Sequence, residues 1–138
     1  ADCQVLAPVR SHLRDEDLDT LPLNIHVTDW IPAHQLGEAV DLAITHGGEG
    51  TVQTSCVQGW PFIGIPLQLE QRFNVQRCVA FGSARLISQK EAHRADWAAL
   101  VRESLADDGM RSRAQRMAEL MKGLDGPGQA AAAICELL

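Results

Sequence analysis

Short runs of consecutive apolar residues, each stopped by glycine, proline or a polar turn, alternate with helix-length segments from Cys3 to about Ile87. Gln4 to Pro8, Asn24 to Val27, Asp41 to Thr45, Phe62 to Ile65 and Ala84 to Ile87 read as strands. Several are apolar on successive residues instead of alternating, which a parallel sheet covered on both faces requires. His34 to Ala39, Thr51 to Gln58 and Gln71 to Phe81 are the intervening helical segments. On the last of these, Phe73, Gln76, Arg77 and Ala80 share one helical row, and Gly82 follows as a left-handed C-cap. Strand, helix and strand in alternation predict βαβ units and an α/β fold: a parallel sheet with helices on both faces.

From about Gln89 onward the pattern is helical, in three segments. Asp96 is placed to cap Trp97 to Ala106. Met110, Ala114, Met117, Ala118, Met121 and Leu124 then form an amphipathic stripe, which is core packing far more often than a ligand box. Gly126-Pro127 sets a proline at the first position of a last helix, Gly128 to Leu138. The acidic run Arg14 to Asp19 reads as a solvated loop.

Composition narrows the function classes. With 12 Lys and Arg against 18 Asp and Glu, the net charge of -6 lacks the basic excess of a nucleic-acid module. Even the apolar run Ala130 to Ile134 is far too short to span a bilayer, and with no charged segment followed by an apolar one at the start, no signal peptide is expected. Cys3, Cys56, Cys78 and Cys135 lie 53, 22 and 57 residues apart, without the close spacing of a zinc knuckle or redox dithiol. Buried free thiols and a cytoplasmic protein without a metal are therefore expected. The chain starts at Ala1 and enters an apolar stretch almost at once, so it is expected to be part of something longer.

Chemistry concentrates between Trp30 and Asn74. At its centre, Ile44-Thr45-His46-Gly47-Gly48-Glu49-Gly50-Thr51 joins a predicted strand to a predicted helix through a glycine-dense turn. Glycines allow positive φ and close approach of backbone to a ligand. Unpaired N–H groups at a helix start carry the positive end of the macrodipole and suit a phosphate. Thr51 adds a hydroxyl, and His46 an imidazole that can bond or partly neutralise an anion. The dinucleotide fingerprint is absent, because Gly48-x-Gly50 lacks a third glycine three residues on. Glycines at such a turn often serve only the turn, and a lone histidine is more often a packed polar residue. The neighbours shift that balance. Trp30-Ile31-Pro32 upstream and Pro66, Glu70, Gln71 and Asn74 downstream also follow predicted strands, and strand C-termini of a parallel sheet share one ligand-binding edge. An indole for a base, a helix start for phosphates and an acid–amide pair for hydroxyls make a nucleotide-sugar site.

This constellation resembles the C-terminal, donor-binding domain of family-1 glycosyltransferases of the GT-B fold, with the bacterial natural-product and antibiotic members nearest. The family pattern is matched at Trp30 and Pro32, at His46, Gly48 and Thr51, and at Gly59, Pro61, Pro66, Glu70, Gln71 and Asn74. The resemblance spans roughly Val5 to Leu138. It implies one Rossmann-like half of a GT-B fold and an inverting, metal-independent transfer of a hexose from a UDP- or TDP-sugar to a small acceptor. Trp30 would stack on the base. His46, Gly48, Gly50 and Thr51 would hold the diphosphate, and Glu70 and Gln71 the sugar hydroxyls.

Ala33 and Thr54 stand where plant members carry a ribose-binding Gln and Glu, and Glu70 stands where Asp is commoner. The acceptor pocket and general-base histidine of such enzymes belong to an N-terminal acceptor domain, so no catalytic residue is expected in these 138 residues. Alone, the chain is expected to be inactive. The implied partners are the nucleotide sugar, the N-terminal acceptor domain of the same chain and a second copy in a homodimer. The rival readings are a non-catalytic glycosyltransferase-like module that activates a partner and, behind it, a nucleotide-sugar epimerase of the same fold.

Overall fold

The computed structural model describes residues 3–137, which divide into two units at Gly37 and Glu38. In the first unit, β1 (Val5–Ala7) and β2 (Ile25–Val27) pair in parallel, with Val5 opposite Ile25 and Ala7 opposite Val27. Side chains extend the ladder: the Asn24 amide donates to the Cys3 carbonyl at 3.0 Å, and the His26 ring meets the Gln4 amide oxygen at 2.7 Å.

The acidic run between these strands is not a loop. Asp15–Leu18 forms one helical turn, α1. Three acids occupy its first turn, where the helix dipole favours negative charge. The Asp17 carboxylate accepts the backbone N–H of Arg14 at 3.0 Å and its guanidinium at 3.0 and 3.2 Å. The guanidinium bonds first, and the backbone N–H second, hold Asp17 below the usual carboxylate range. Two short 3-10 turns, Ala33–Gln35 and Gly37–Ala39, replace the helix expected over His34 to Ala39. Gly37, at φ 51°, takes the left-handed conformation that breaks it.

The second unit carries three parallel strands in the order β3 (Ala43–Thr45), β4 (Phe62–Gly64), β5 (Ala84–Leu86). Ala43, Phe62 and Ala84 share one register position. Central β4 is buried along its whole length, which explains its unbroken apolar sequence. α2 (Glu49–Gln58) connects β3 to β4, and α3 (Leu69–Phe81) connects β4 to β5. Val52 of α2, Val75 and Cys78 of α3, Phe62 and Ala84 form the core. Both helices start two residues before their predicted positions and end on left-handed glycines, Gly59 and Gly82. The predicted C-cap at Gly82 is thus observed.

Among the described residues the tail holds four helices instead of three. α4 (Gln89–Ala92) is a single turn capped by Ser88, whose hydroxyl accepts the Glu91 N–H at 3.2 Å while Glu91 accepts the Ser88 N–H at 2.8 Å. α5 (Trp97–Leu105) is capped by Asp96 as expected, and α6 (Asp108–Met121) by Asp107. The methionine stripe packs: Met110 and Ala114 are buried and Met117 and Met121 half-buried, while Leu124 lies beyond the helix and exposed. α7 (Gly126–Cys135) begins two residues earlier than expected, which puts Pro127 at its second position, after an Asp125 cap. Among the described residues no helix is long and apolar enough to cross a membrane.

Candidate functional site

The glycine turn occupies the C-terminal edge of β3. Thr45 ends the strand, His46 to Gly48 turn, and Glu49 opens α2. Helix thus begins inside the glycine cluster, so Gly50 and Thr51 lie in its first turn. A chain of hydroxyl bonds ties the turn together. The Gly47 N–H donates to Thr45 Oγ1 at 3.2 Å, Thr45 donates to Thr51 Oγ1 at 2.8 Å, and Thr51 donates to the Gly48 carbonyl at 2.9 Å. That carbonyl also receives the first helical bond, from the Val52 N–H at 3.0 Å. No side chain caps α2. The N–H groups of its first turn are therefore left for a ligand, at the positive end of the dipole. The Thr51 hydroxyl, expected as a donor to phosphate, spends its proton within the turn.

His46 is exposed and its ring lies over the helix start: a Cβ on Gly48 would come within 2.6 Å of Nε2. Gly48 therefore leaves the space that the imidazole occupies. At Gly50 a Cβ would meet nothing within 4 Å, so this face is open to an approaching group. Gly47 is different. It is buried, sits at φ 87°, and a Cβ there would lie 2.4 Å from Val75 Cγ2 and 3.0 Å from the Gln71 carbonyl. A Cβ on Gly64 would also lie 2.5 Å from both Val75 methyls. α3 presses Val75 into the gap between two glycines, one on each of two neighbouring strand ends.

α3 also brings the polar downstream residues to the turn. The Asn74 amide donates to the Gly47 carbonyl at 3.2 Å and to the Glu70 carboxylate one turn earlier. Glu70 is exposed; Gln71 is 8 % exposed, and its Oε1 accepts the Leu67 N–H at 2.8 Å. Gln71 is thus a fastener of the loop before α3, with its amide NH2 as the remaining donor. Six of the residues singled out in the sequence, His46, Gly48, Gly50, Thr51, Glu70 and Gln71, belong to this unit. Asn74 joins the turn to the helix that carries Glu70 and Gln71. Trp30 belongs to the first unit, just past β2, and the residue is 73 % exposed. Thr45, Val75 and the bridging role of Asn74 escaped the sequence reading. Asn74 had a signal, its spacing of four from Glu70; Val75 looks like any core valine.

A separate groove lies at the end of β5. It has a volume of about 760 Å³ and is lined by Leu86, Ser88, Lys90, Arg94, Asp96 and Leu100 among others. Lys90 and Arg94 share it with Glu91, Asp96 and Glu103, so it has no net attraction for an anion. Among the described residues no three of His, Cys, Asp and Glu converge as a metal site.

A parallel α/β fold with an open helix start at a strand end is the architecture of nucleotide-binding proteins. The chain belongs to the family described as "Erythromycin biosynthesis protein CIII-like, C-terminal domain", which matches residues 2–137. It is 31% identical over 123 residues to the oleandomycin glycosyltransferase of Streptomyces antibioticus, covering 87% of this chain and 28% of that one. Among solved structures it is similar to the glycotransferase of kitacinnamycin, with a TM-score of 0.81 and 27% identity over 98% of this chain and 35% of the other. It shares its fold with the glycosyltransferase VinC, solved in complex with dTDP, at a TM-score of 0.78 and 21% identity over 90% of this chain and 31% of that one. The chain thus spans about a third or less of each of these proteins. Its fold class is the α/β, Rossmann-like one of GT-B glycosyltransferases.

Proposed function

We propose that this chain is the donor-binding part of an inverting glycosyltransferase that moves a hexosyl group from a UDP- or TDP-sugar to a small natural-product acceptor. The single observation that carries the proposal is the uncapped start of α2 beneath the His46 imidazole. The diphosphate sits on the N–H groups of Gly48, Glu49, Gly50 and Thr51, with His46 as a side-chain donor. Thr51 contributes through its backbone, since its hydroxyl is committed to Gly48. Glu70 receives sugar hydroxyls, held in place by Asn74; Gln71 offers its NH2; Trp30 stacks on the base.

Charge builds on the diphosphate as the glycosidic bond breaks. Donors already aimed at it stabilise that charge more in the transition state than in the ground state. A helix start and an imidazole do this without a metal, hence the metal-independent proposal. The acceptor and the base that deprotonates it come from an N-terminal domain of the same enzyme, which we place in the cytoplasm.

Calorimetric titration of this chain with TDP and UDP tests the binding half of the proposal, and kinetics of the complete enzyme test the rest. Loss of one transition-state donor in His46→Ala should lower turnover by about 10² to 10³. A folded His46→Ala enzyme with intact turnover would refute the phosphate role. A second reading, a non-catalytic module that activates a partner, draws on Thr54, whose hydroxyl is turned onto the Gly50 carbonyl at 2.8 Å instead of facing a ligand. A complete protein that binds the nucleotide but transfers no sugar would favour it.

A further inference from the structure

Cys56 and Cys78 are 22 residues apart in sequence, yet their sulfurs lie 3.8 Å from each other where α2 packs on α3. Cys78 is 5% exposed and belongs to the core with Val52, Phe62, Val75 and Ala84; Cys56 is half-buried against the same cluster. Cys3 and Cys135 are also free thiols, and Cys135 is exposed near the end of the last helix. We propose that Cys56 and Cys78 are a peroxide-reactive dithiol, whose oxidation product is an intramolecular disulfide that staples α2 to α3.

Three features carry this. The sulfurs are already in contact at 3.8 Å, the approach from which a bond of about 2.05 Å forms. Cys56 reaches solvent, so a small oxidant has access to the pair without unfolding the core. The contact also polarises the two thiols against each other. The hydrogen bond from Cys56 draws Cys78 below the usual thiol range, with help from the Ser83 hydroxyl, and the same contact with burial pushes Cys56 up. When Cys78 ionises, the Cys56 thiol is placed to donate to its thiolate, the form that reacts with peroxide.

The chemistry balances with a hydroperoxide as the oxidant. One thiolate attacks the peroxide oxygen, the O–O bond breaks, and the sulfur becomes a sulfenic acid as water is released after protonation. The neighbouring thiol then attacks that sulfur; the S–S bond forms and the sulfenic oxygen leaves as a second water. Two thiols and one hydrogen peroxide give one disulfide and two waters. Both cysteines lie in the second halves of their helices. Along α2 that is about 12 Å from the glycine turn, so the staple leaves the open N–H groups untouched. This inference stands independently of the glycosyltransferase proposal.

The test uses the unaltered chain. It is treated with hydrogen peroxide, quenched, alkylated and digested with trypsin, which cuts after Arg72 and Arg77 and so separates the two cysteines. The expected product is a cross-linked pair of peptides carrying Cys56 and Cys78, lighter by two hydrogens and released by reductant. The oxidised chain should melt roughly 10 °C higher, because the bond closes a loop around β4, and reduction should reverse the rise. In Cys56→Ser and Cys78→Ser variants the remaining thiol, without a partner, should run on to sulfinic acid. Recovery of Cys56 and Cys78 alkylated while Cys135 is oxidised would overturn the proposal. So would sulfinic acid at either residue in the unaltered chain, or disulfides only between molecules.

Discussion

Gly47→Ala should be among the most damaging single-methyl changes this chain can suffer. Two costs add. The residue is at φ 87°, where a side chain introduces roughly 1–2 kcal/mol of backbone strain. The new methyl would also lie 2.4 Å from Val75 Cγ2, and Val75 is wholly buried, so relief requires pushing α3 off the strand ends. Overpacking of that kind costs about 1–3 kcal/mol. The sum is about 3 kcal/mol, or a fall of roughly 10 °C in melting temperature for a domain of this size. Urea denaturation and thermal melts followed by circular dichroism read it directly. Val75→Ala supplies the decisive control. Alone it should cost about 2 kcal/mol, since it leaves a cavity. Combined with Gly47→Ala it gives the new methyl a place to sit, so the double variant should be at least ~1 kcal/mol more stable than the sum of the two. It should still fall short of the parent, because the Gln71 carbonyl remains 3.0 Å away and the φ strain persists. Costs that simply add, or a Gly47→Ala protein that melts with the parent, would refute the wedge.

Gly48→Ala should fold normally, since Gly48 has an ordinary extended backbone, but should weaken TDP binding about tenfold by displacing the His46 ring, as measured by calorimetry. Gln71→Ala should destabilise the chain by about 2 kcal/mol in urea, because the Leu67 N–H loses its acceptor; an unchanged midpoint would return Gln71 to a purely ligand-binding role. Asp107 caps α6, and the Met110 N–H first, then the Arg85 guanidinium, hold its carboxyl below the usual range. Its stabilising effect is therefore present above the ordinary carboxylate pKa and lost as pH falls through the lowered value. Asp107→Ala should show a shallower loss of melting temperature on the acid side than the parent. In the complete enzyme, Trp30→Ala should raise KM for the donor with little change in kcat, because base stacking is the same before and during transfer.

Strand positions were legible because apolar runs such as Phe62-Ile63 answer to burial alone, and burial is what a central parallel strand demands. Helix starts were less so. α2 begins at Glu49 because the Gly48 carbonyl takes the first helical bond, and a glycine-dense sequence gives no sign of where turning stops and helix begins. α1 was missed for another reason: it has no apolar stripe, and rests on end effects between Arg14 and Asp17 that a hydrophobic pattern cannot register. Within the site, residue types and order identified the turn and the pieces around it. What each side chain does was less visible. The Thr51 hydroxyl and the Gln71 oxygen looked like ligand donors and acceptors, yet each has a partner in the protein. The meeting of Cys56 with Cys78 depends on how α2 lies on α3, which no spacing rule encodes.

The three-stranded sheet has one more consequence. Its register pairs Ala43 with Phe62 and Phe62 with Ala84, so every strand lies beside the one that follows it in sequence. Each pairing closes a loop of only about twenty residues, and the entropy of closure grows slowly from a small value at that length. Nothing in the sheet waits for a distant part of the chain. A chain emerging N-terminus first presents β3, β4 and β5 in the order in which they pair, and Val75, carried on α3, sits against the glycine turn and Gly64 at the end of β4.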